Sequence, residues 1–113
     1  MTVKRIQLAR LADIPSGSIR GFVVDGEGHV AVARVGERLY GFEDRCTHDD
    51  GDLAGGRLLE GSQVECPRHG ARFDLTSGRA ARMPAVVGIK TYAVGIDEGW
   101  VWIEIPEVVH EQA

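Results

Sequence analysis

Two short segments of the chain each carry one cysteine and one histidine. The first, RCTHDDGD, places Cys46 two residues before His48, and the second, ECPRHG, places Cys66 three residues before His69. Thiolate sulfur and imidazole nitrogen are ligands that zinc and iron sites use in proteins. With 17 residues between His48 and Cys66, two loops that face each other would bring two sulfur and two nitrogen ligands to one centre.

Three kinds of site fit this pattern. A single zinc ion takes four such ligands in a tetrahedron, and a two-iron cluster takes both cysteines on one iron and both histidines on the other. The third is a disulfide between Cys46 and Cys66, with incidental histidines. In a reducing cytosol a cysteine pair flanked by histidines is more often a metal site, although zinc fingers usually lack this mixed order of ligands. The pattern therefore favours a metal centre and leaves the metal open.

Other chemistries find little support in the residues. Both cysteines are committed to the metal pattern, and no serine stands beside a histidine, so nucleophilic catalysis is not indicated. The net charge of -4 predicts no nucleic-acid partner and no anionic membrane surface. No apolar stretch approaches the roughly 20 residues that span a bilayer, and MTVKRIQLAR lacks the apolar centre of a signal peptide. We expect a cytoplasmic protein without a membrane partner.

Strand patterns dominate the two ends of the chain. Alternating or β-branched runs occur at residues 3–11, 22–24, 30–35 and 39–42, separated by turn signals such as DGEG. Near the end, residues 92–96 face residues 101–103 across DEG, which predicts a hairpin. We expect Trp100 and Trp102 on opposite faces of that last strand, one in the core and one at the surface. No segment predicts a helix of three turns.

The middle of the chain has a different composition. Residues 46–84 are rich in glycine, aspartate and arginine, and their strand candidates, 63–66 and 71–75, are very short. We therefore expect a cap subdomain of about residues 44–84, inserted between the β-rich halves of a single domain that spans residues 1–113. The predicted fold is all-β, a sandwich or small barrel that carries this irregular cap.

Charged residues crowd both candidate segments. The first is surrounded by acidic residues, which are Glu43, Asp44, Asp49, Asp50 and Asp52. The second is surrounded by arginines, which are Arg68, Arg72, Arg79 and Arg82. One interpretation is that these charges steer and orient a partner. The other is a solvated surface whose two halves neutralise each other.

CTH followed by CPRHG resembles the Rieske motif, which is Cys-x-His, an intervening stretch, and then Cys-x-x-His. The segments HGARFDLTSG and MPAVVGIKTYAVGI are also similar to those of bacterial Rieske ferredoxins, so the resemblance covers about residues 43–103. It implies a 2Fe-2S cluster bound by Cys46, His48, Cys66 and His69, on a Rieske-type β base with a cluster-binding cap. It also implies that His48 and His69 lie near solvent at the tip of the cap, where an electron enters and leaves.

The resemblance implies an electron-transfer component rather than an enzyme in its own right. In the dioxygenase systems of this family, a ferredoxin carries one electron from a flavin-dependent NAD(P)H ferredoxin reductase to a terminal oxygenase, which has its own Rieske centre and non-haem iron. Two other functions stay open. One is a small subunit or accessory module of another system, of the nitrite reductase or iron-sulfur cluster assembly type. The other is a zinc-stabilised binding module without redox function.

Departures from the high-potential Rieske proteins of respiratory complexes bear on the reduction potential. Those proteins add a cysteine to each loop, at places that correspond to Gly51 and Arg68 here, so their disulfide clamp is absent. They also carry a serine and a tyrosine that donate hydrogen bonds to sulfur, where this chain has Ala71 and Phe73. Such donors stabilise the reduced cluster more than the oxidised one. We therefore expect a potential near the low end of the Rieske range, about -150 mV.

Overall fold

The protein is an assembly of short antiparallel strands. The computed structural model describes residues 2–46, 51–60, 62–68, 70–83 and 87–106. Its strands are β1 (Val3–Arg10), β2 (Ile19–Val24), β3 (Gly28–Val35), β4 (Arg38–Glu43), β5 (Arg57–Leu59), β6 (Gln63–Glu65), β7 (Arg72–Asp74), β8 (Ala80–Arg82), β9 (Thr91–Tyr92), β10 (Val94–Asp97) and β11 (Trp100–Pro106). Within the described ranges the one helical element is a three-residue 3-10 turn, Leu11–Asp13, so the all-β prediction is confirmed. That part of the chain contains no helix of the length and apolarity needed to cross a membrane.

The strands form three antiparallel sheets. Two sheets make the base of the molecule, with strand orders β1-β11-β10 and β2-β3-β4-β9, and the third has the order β5-β6-β7-β8. The hairpin predicted across DEG is confirmed, because Asp97 pairs with Trp100 and Ile96 with Val101. Its two turn residues, Glu98 and Gly99, have φ of 50° and 83°. Two consecutive left-handed residues give the turn type whose twist matches that of the flanking strands.

Strand β3 is buried on both faces. Val30 and Val32 belong to two clusters of the base that contain residues of the first sheet, including Ile103 and Val101. Ala31 and Ala33 belong instead to a third cluster, which contains Val64 and Phe73 of the third sheet and both cysteines. Because successive side chains of a strand point to opposite faces, these two valines pack in the base and the two alanines pack against the third sheet.

The third sheet lies within the stretch for which a separate cap is expected. Strands β6 and β7 were predicted, whereas β5 and β8 were not, since RLL and AAR carry no alternating pattern. The division of one domain, residues 1–113, into a base and an inserted cap of about residues 44–84 stays a prediction. We use the name cap below for the sheet β5–β8 and the loops that join its strands.

The two tryptophans of β11 lie on one face. The buried side chains of this strand are Val101, Ile103 and Ile105, and both tryptophans alternate with them. The guanidinium groups of Arg5 and Arg10 cover the rings of Trp102 and Trp100, at 3.9 and 4.7 Å from the ring centres. The expectation of opposite faces was wrong, because residues two apart in a strand point the same way.

Substitutions on the two faces of β3 should have different effects: those that face the base should change the free energy of unfolding, and those that face the cap should change the access of reagents to the cysteines. Val32→Ala removes two methyl groups from the base, and we expect it to lower the free energy of unfolding by about 2 kcal/mol. Ala31→Leu adds three carbons against the cap, which costs about 1–3 kcal/mol and loosens the surroundings of Cys46 and Cys66. Urea unfolding measures the first effect, and labelling with a thiol reagent measures the second. Equal labelling of the two variants would contradict the assignment of the two faces.

Candidate metal centre

The two cysteines of the predicted ligand set lie in one apolar cluster. Cys46 is 0% exposed and Cys66 is 1% exposed, and both pack in the cluster that joins β3 to the cap. Both are thiols, so the alternative of a disulfide between them is not formed in the structure. His48 and His69, the other two predicted ligands, lie outside the described residues. The structure therefore places the two cysteines in one cluster, and the ligand set of Cys46, His48, Cys66 and His69 stays a prediction.

The two cysteines begin loops that are closed in the same way. The backbone N–H of Cys46 donates to the carbonyl of Gly51 at 2.7 Å, and that of Cys66 donates to the carbonyl of Ala71, also at 2.7 Å. In both loops the bond joins the cysteine to the residue five positions later, with one histidine among the four residues between. A buried thiol is by itself a common core residue. A matched pair of buried thiols, each leading a loop with a histidine, fits a centre held from two sides.

The second loop is the connection of a hairpin. Glu65 at the end of β6 pairs with Arg72 at the start of β7, and residues 66–71 run between them. Within the loop the N–H of Gly70 donates to the carbonyl of Cys66 at 3.3 Å. Gly70 has φ of 73°, a left-handed conformation that a residue with a side chain adopts at a cost. The glycine of CPRHG is thus required by the turn of the loop.

The described residues of the first loop, 44–46 and 51–56, are not part of a hairpin. After Gly51 the chain runs through irregular residues before β5 begins at Arg57. Its attachment comes from Asp44, whose carboxylate oxygen Oδ1 accepts the backbone N–H of Ala54 at 2.7 Å. The side chain is almost fully buried, and that burial raises the pKa of Asp44. Sequence reasoning missed this role, because nothing in the sequence distinguishes Asp44 from the other acidic residues of that segment.

A row of charged side chains crosses the cap beside the second loop. Arg57, Glu65, Arg72 and Arg82 occupy paired positions on four adjacent strands. The Glu65 carboxylate accepts from Arg57 Nε at 2.9 Å and from Arg72 Nε at 3.0 Å, and Arg82 lies 4.0 Å away. The bonds from Arg72 and Arg57 lower the pKa of Glu65. The row fixes the end of the sheet from which Cys66 emerges.

The residues around the thiols are apolar. Leu53, Val64, Ala71 and Phe73 are all 0% exposed and belong to the cluster that contains both cysteines. Ala71 and Phe73 are the residues that the resemblance aligns with the two hydroxyl donors of the high-potential proteins. These apolar residues therefore exclude water from the two cysteines, and the side chains of Ala71 and Phe73 carry no hydroxyl group.

Solved structures of the same fold include proteins with different partners. The chain matches a structure described as a complex of reduced oxygenase and oxidized ferredoxin in carbazole 1,9a-dioxygenase, with 34% identity, a TM-score of 0.81, and coverage of 88% of this chain and 91% of that one. It also matches a putative NADH-dependent nitrite reductase small subunit from Mycobacterium tuberculosis, with a TM-score of 0.85 over 96% of this chain and 100% of that one. At 16% identity the second likeness shows the fold alone.

Sequence comparison gives the family. Residues 4–93 match the model of the Rieske [2Fe-2S] domain. The chain is 38% identical to the ferredoxin component of the naphthalene 1,2-dioxygenase system of Pseudomonas putida, over 93% of this chain and 99% of that protein. It is 34% identical to the 3-phenylpropionate/cinnamic acid dioxygenase ferredoxin subunit of Escherichia coli K12, over 93% and 97%. The chain therefore belongs to the Rieske [2Fe-2S] family, as a ferredoxin of the type found in dioxygenase systems.

Proposed function

We propose that this protein is the one-electron carrier of a ring-hydroxylating dioxygenase system and delivers electrons to a terminal oxygenase. The observation that carries the proposal is the likeness to dioxygenase ferredoxins over nearly their whole length. The two buried thiols at the start of two matched loops agree with it, because they supply half of the ligand set that a Rieske cluster needs.

The proposed ligands divide between two irons. Cys46 and Cys66 would hold one iron through sulfur, and His48 and His69 would hold the other through nitrogen. When bound, the cluster supplies a one-electron redox couple. The chain holds the two sulfurs apart from water, because both cysteines lie inside the apolar cluster. Because protein encloses the two cysteines, electron exchange with a bound cluster would take place on the side of His48 and His69.

The electron donor in this proposal is a flavin-dependent NAD(P)H ferredoxin reductase. A nicotinamide releases two electrons together as a hydride, whereas a Rieske cluster accepts one, so a flavin has to divide the pair. The proposal places the carrier in the cytoplasm, where NAD(P)H supplies such a reductase. The ring substrate belongs to the terminal oxygenase. The naphthalene and 3-phenylpropionate relatives differ by only a few per cent in identity to this chain, so identity does not select a substrate.

The test is to reconstitute electron transfer. The purified protein should contain two irons and two labile sulfides, and it should show a Rieske EPR signal after reduction. A flavin reductase with NADH should reduce it, and a terminal dioxygenase of the aromatic class should reoxidise it with formation of a cis-diol. Rapid reoxidation by a sirohaem nitrite reductase, without turnover by any dioxygenase, would favour the nitrite reductase alternative. A colourless protein that contains zinc would overturn both functions.

Ligand substitutions test the proposed site directly. Cys46→Ser, Cys66→Ser, His48→Ala and His69→Ala are each expected to abolish the Rieske spectrum, because the chain has no third cysteine to replace a lost thiolate. Iron content and the visible circular dichroism spectrum measure the outcome. His29→Ala is the matched control and should retain the cluster. A variant of the first group with an unchanged spectrum would remove that residue from the ligand set.

Hydroxyl groups placed beside the sulfurs test the expected low potential. Ala71→Ser with Phe73→Tyr should raise the reduction potential by several tens of millivolts, taking about 1 kcal/mol for each new hydrogen bond. Both positions lie in the cluster that contains the cysteines. Ala9→Ser, at a buried position of β1 outside that cluster, should leave the potential unchanged. Protein-film voltammetry decides, and a wild-type potential well above zero would contradict the expected poise.

A further inference from the structure

Asp44 stands out among the buried residues. In the part of the chain that the structure describes, it is the one polar or charged side chain that is buried, with 6% exposure. A buried carboxylate is costly unless hydrogen bonds compensate for the water that it loses. The position is two residues before Cys46, at the point where β4 has ended and the first loop begins.

The donors that compensate Asp44 come from the far side of the first loop. Its Oδ1 accepts the N–H of Ala54 at 2.7 Å, and the backbone of Leu53 also hydrogen-bonds to the carboxylate. The backbone N–H of Asp44 donates to the carbonyl of His29 on β3 at 3.1 Å. One residue is therefore bonded to the base through its main chain and to the return of the loop through its side chain.

Gly21 on β2 leaves the space that this carboxylate occupies. A Cβ atom at Gly21 would lie 2.8 Å from Asp44 Oδ2 and 3.3 Å from the Cβ of Ala54. Contacts that short force the neighbour to shift. Because Gly21 has no side chain, the Asp44 carboxylate and Ala54 have the space in which to contact each other.

The two loops differ in what closes them beyond their matched hydrogen bonds. The second loop is flanked by the β6–β7 ladder, in which Glu65 pairs with Arg72. The first loop is preceded by β4 but is followed by irregular chain, so no ladder pairs its two ends. The Asp44 carboxylate accepts hydrogen bonds from the backbone of residues 53 and 54 and so links the two ends of the first loop. The β6–β7 ladder links the two ends of the second loop in the same way.

We propose that Asp44 is a positioning residue for the metal centre, which fixes the loop that carries Cys46 and His48 by clamping its two ends. The inference rests on the proposed ligation of the cluster by that loop. The carboxylate does not touch the cluster in this proposal, and it acts through the backbone of residues 53 and 54. Its loss should free one half of the ligand set while the hairpin of Cys66 and His69 keeps its own ladder.

The test compares Asp44→Ala with Asp44→Asn in the cluster-loaded protein. Asparagine keeps an oxygen that accepts the Ala54 N–H, so it should retain the wild-type EPR g values and the wild-type rate of iron release to a chelator. Alanine leaves the backbone amides without an acceptor. We expect it to broaden the EPR signal and to speed iron release about tenfold or more, the size of effect that follows from leaving a buried backbone N–H without its acceptor.

Two further variants make the comparison specific. Asp74 also accepts a backbone N–H, that of Thr76 at 2.8 Å, but in the turn after β7 rather than in a cysteine loop. Asp74→Ala should therefore lower stability without changing the EPR signal or the rate of iron release. Gly21→Ala displaces the Asp44 carboxylate without removing it, and should reproduce the effect of Asp44→Ala in weaker form. If Asp44→Ala does not fold, the EPR signal and the rate of iron release of Gly21→Ala test the positioning role in its place.

The outcomes separate this inference from the proposed function. A wild-type protein that binds a Rieske cluster, together with an Asp44→Ala variant of unchanged EPR signal and iron release, would overturn the positioning role alone. The same holds if Asp74→Ala changes the signal as much as Asp44→Ala does. A wild-type protein that binds no 2Fe-2S cluster would overturn the proposed function and this inference together.

Discussion

The whole molecule depends on the burial of β3 from both sides. Val30 and Val32 pack toward the sheet β1-β11-β10, and the two alanines pack toward the cap and the cysteines. A strand covered on both faces cannot shift its register by one residue without exchanging the two sets, and larger side chains would then meet the cap. The position of the cysteine-containing cluster on the base is therefore set by the alternation of small and branched residues in a single strand.

On that foundation the chain holds two equivalent loops by different means. The loop of Cys66 is held by backbone pairing within the cap, reinforced by the ion pairs of Glu65 with its neighbouring arginines. The loop of Cys46 is closed by the bond from its N–H to the carbonyl of Gly51 and is also tied to residue 54 by the buried carboxylate of Asp44. Strand pairing distributes the attachment of the second loop over several backbone bonds, whereas part of the attachment of the first loop depends on one side chain.

The sequence predicted the features that depend on local pattern and on motif spacing. These are the strands of the base and the hairpin across DEG, whereas the ligand set stays a prediction. It did not predict β5 and β8, whose three-residue strands are defined by pairing with β6 and β7 rather than by any alternation of their own. Nor did it distinguish Asp44, because a carboxylate becomes a buried clamp only through residues 53 and 54, and that contact depends on the fold. The error over the tryptophans came from applying the strand period incorrectly.

The arginine row of the cap has a consequence for the molecule as a whole. Residues 57–82 contain five arginines and three acidic residues, although the whole chain has a net charge of -4. Residues 57–82 thus carry a formal net charge of +2 and the rest of the chain one of -6, so charge is unevenly distributed along the chain. Such a molecule is turned by the field of a charged surface before contact is made. Its rate of encounter with any protein therefore depends on how charge is distributed over the two surfaces, and the net charges alone do not determine it.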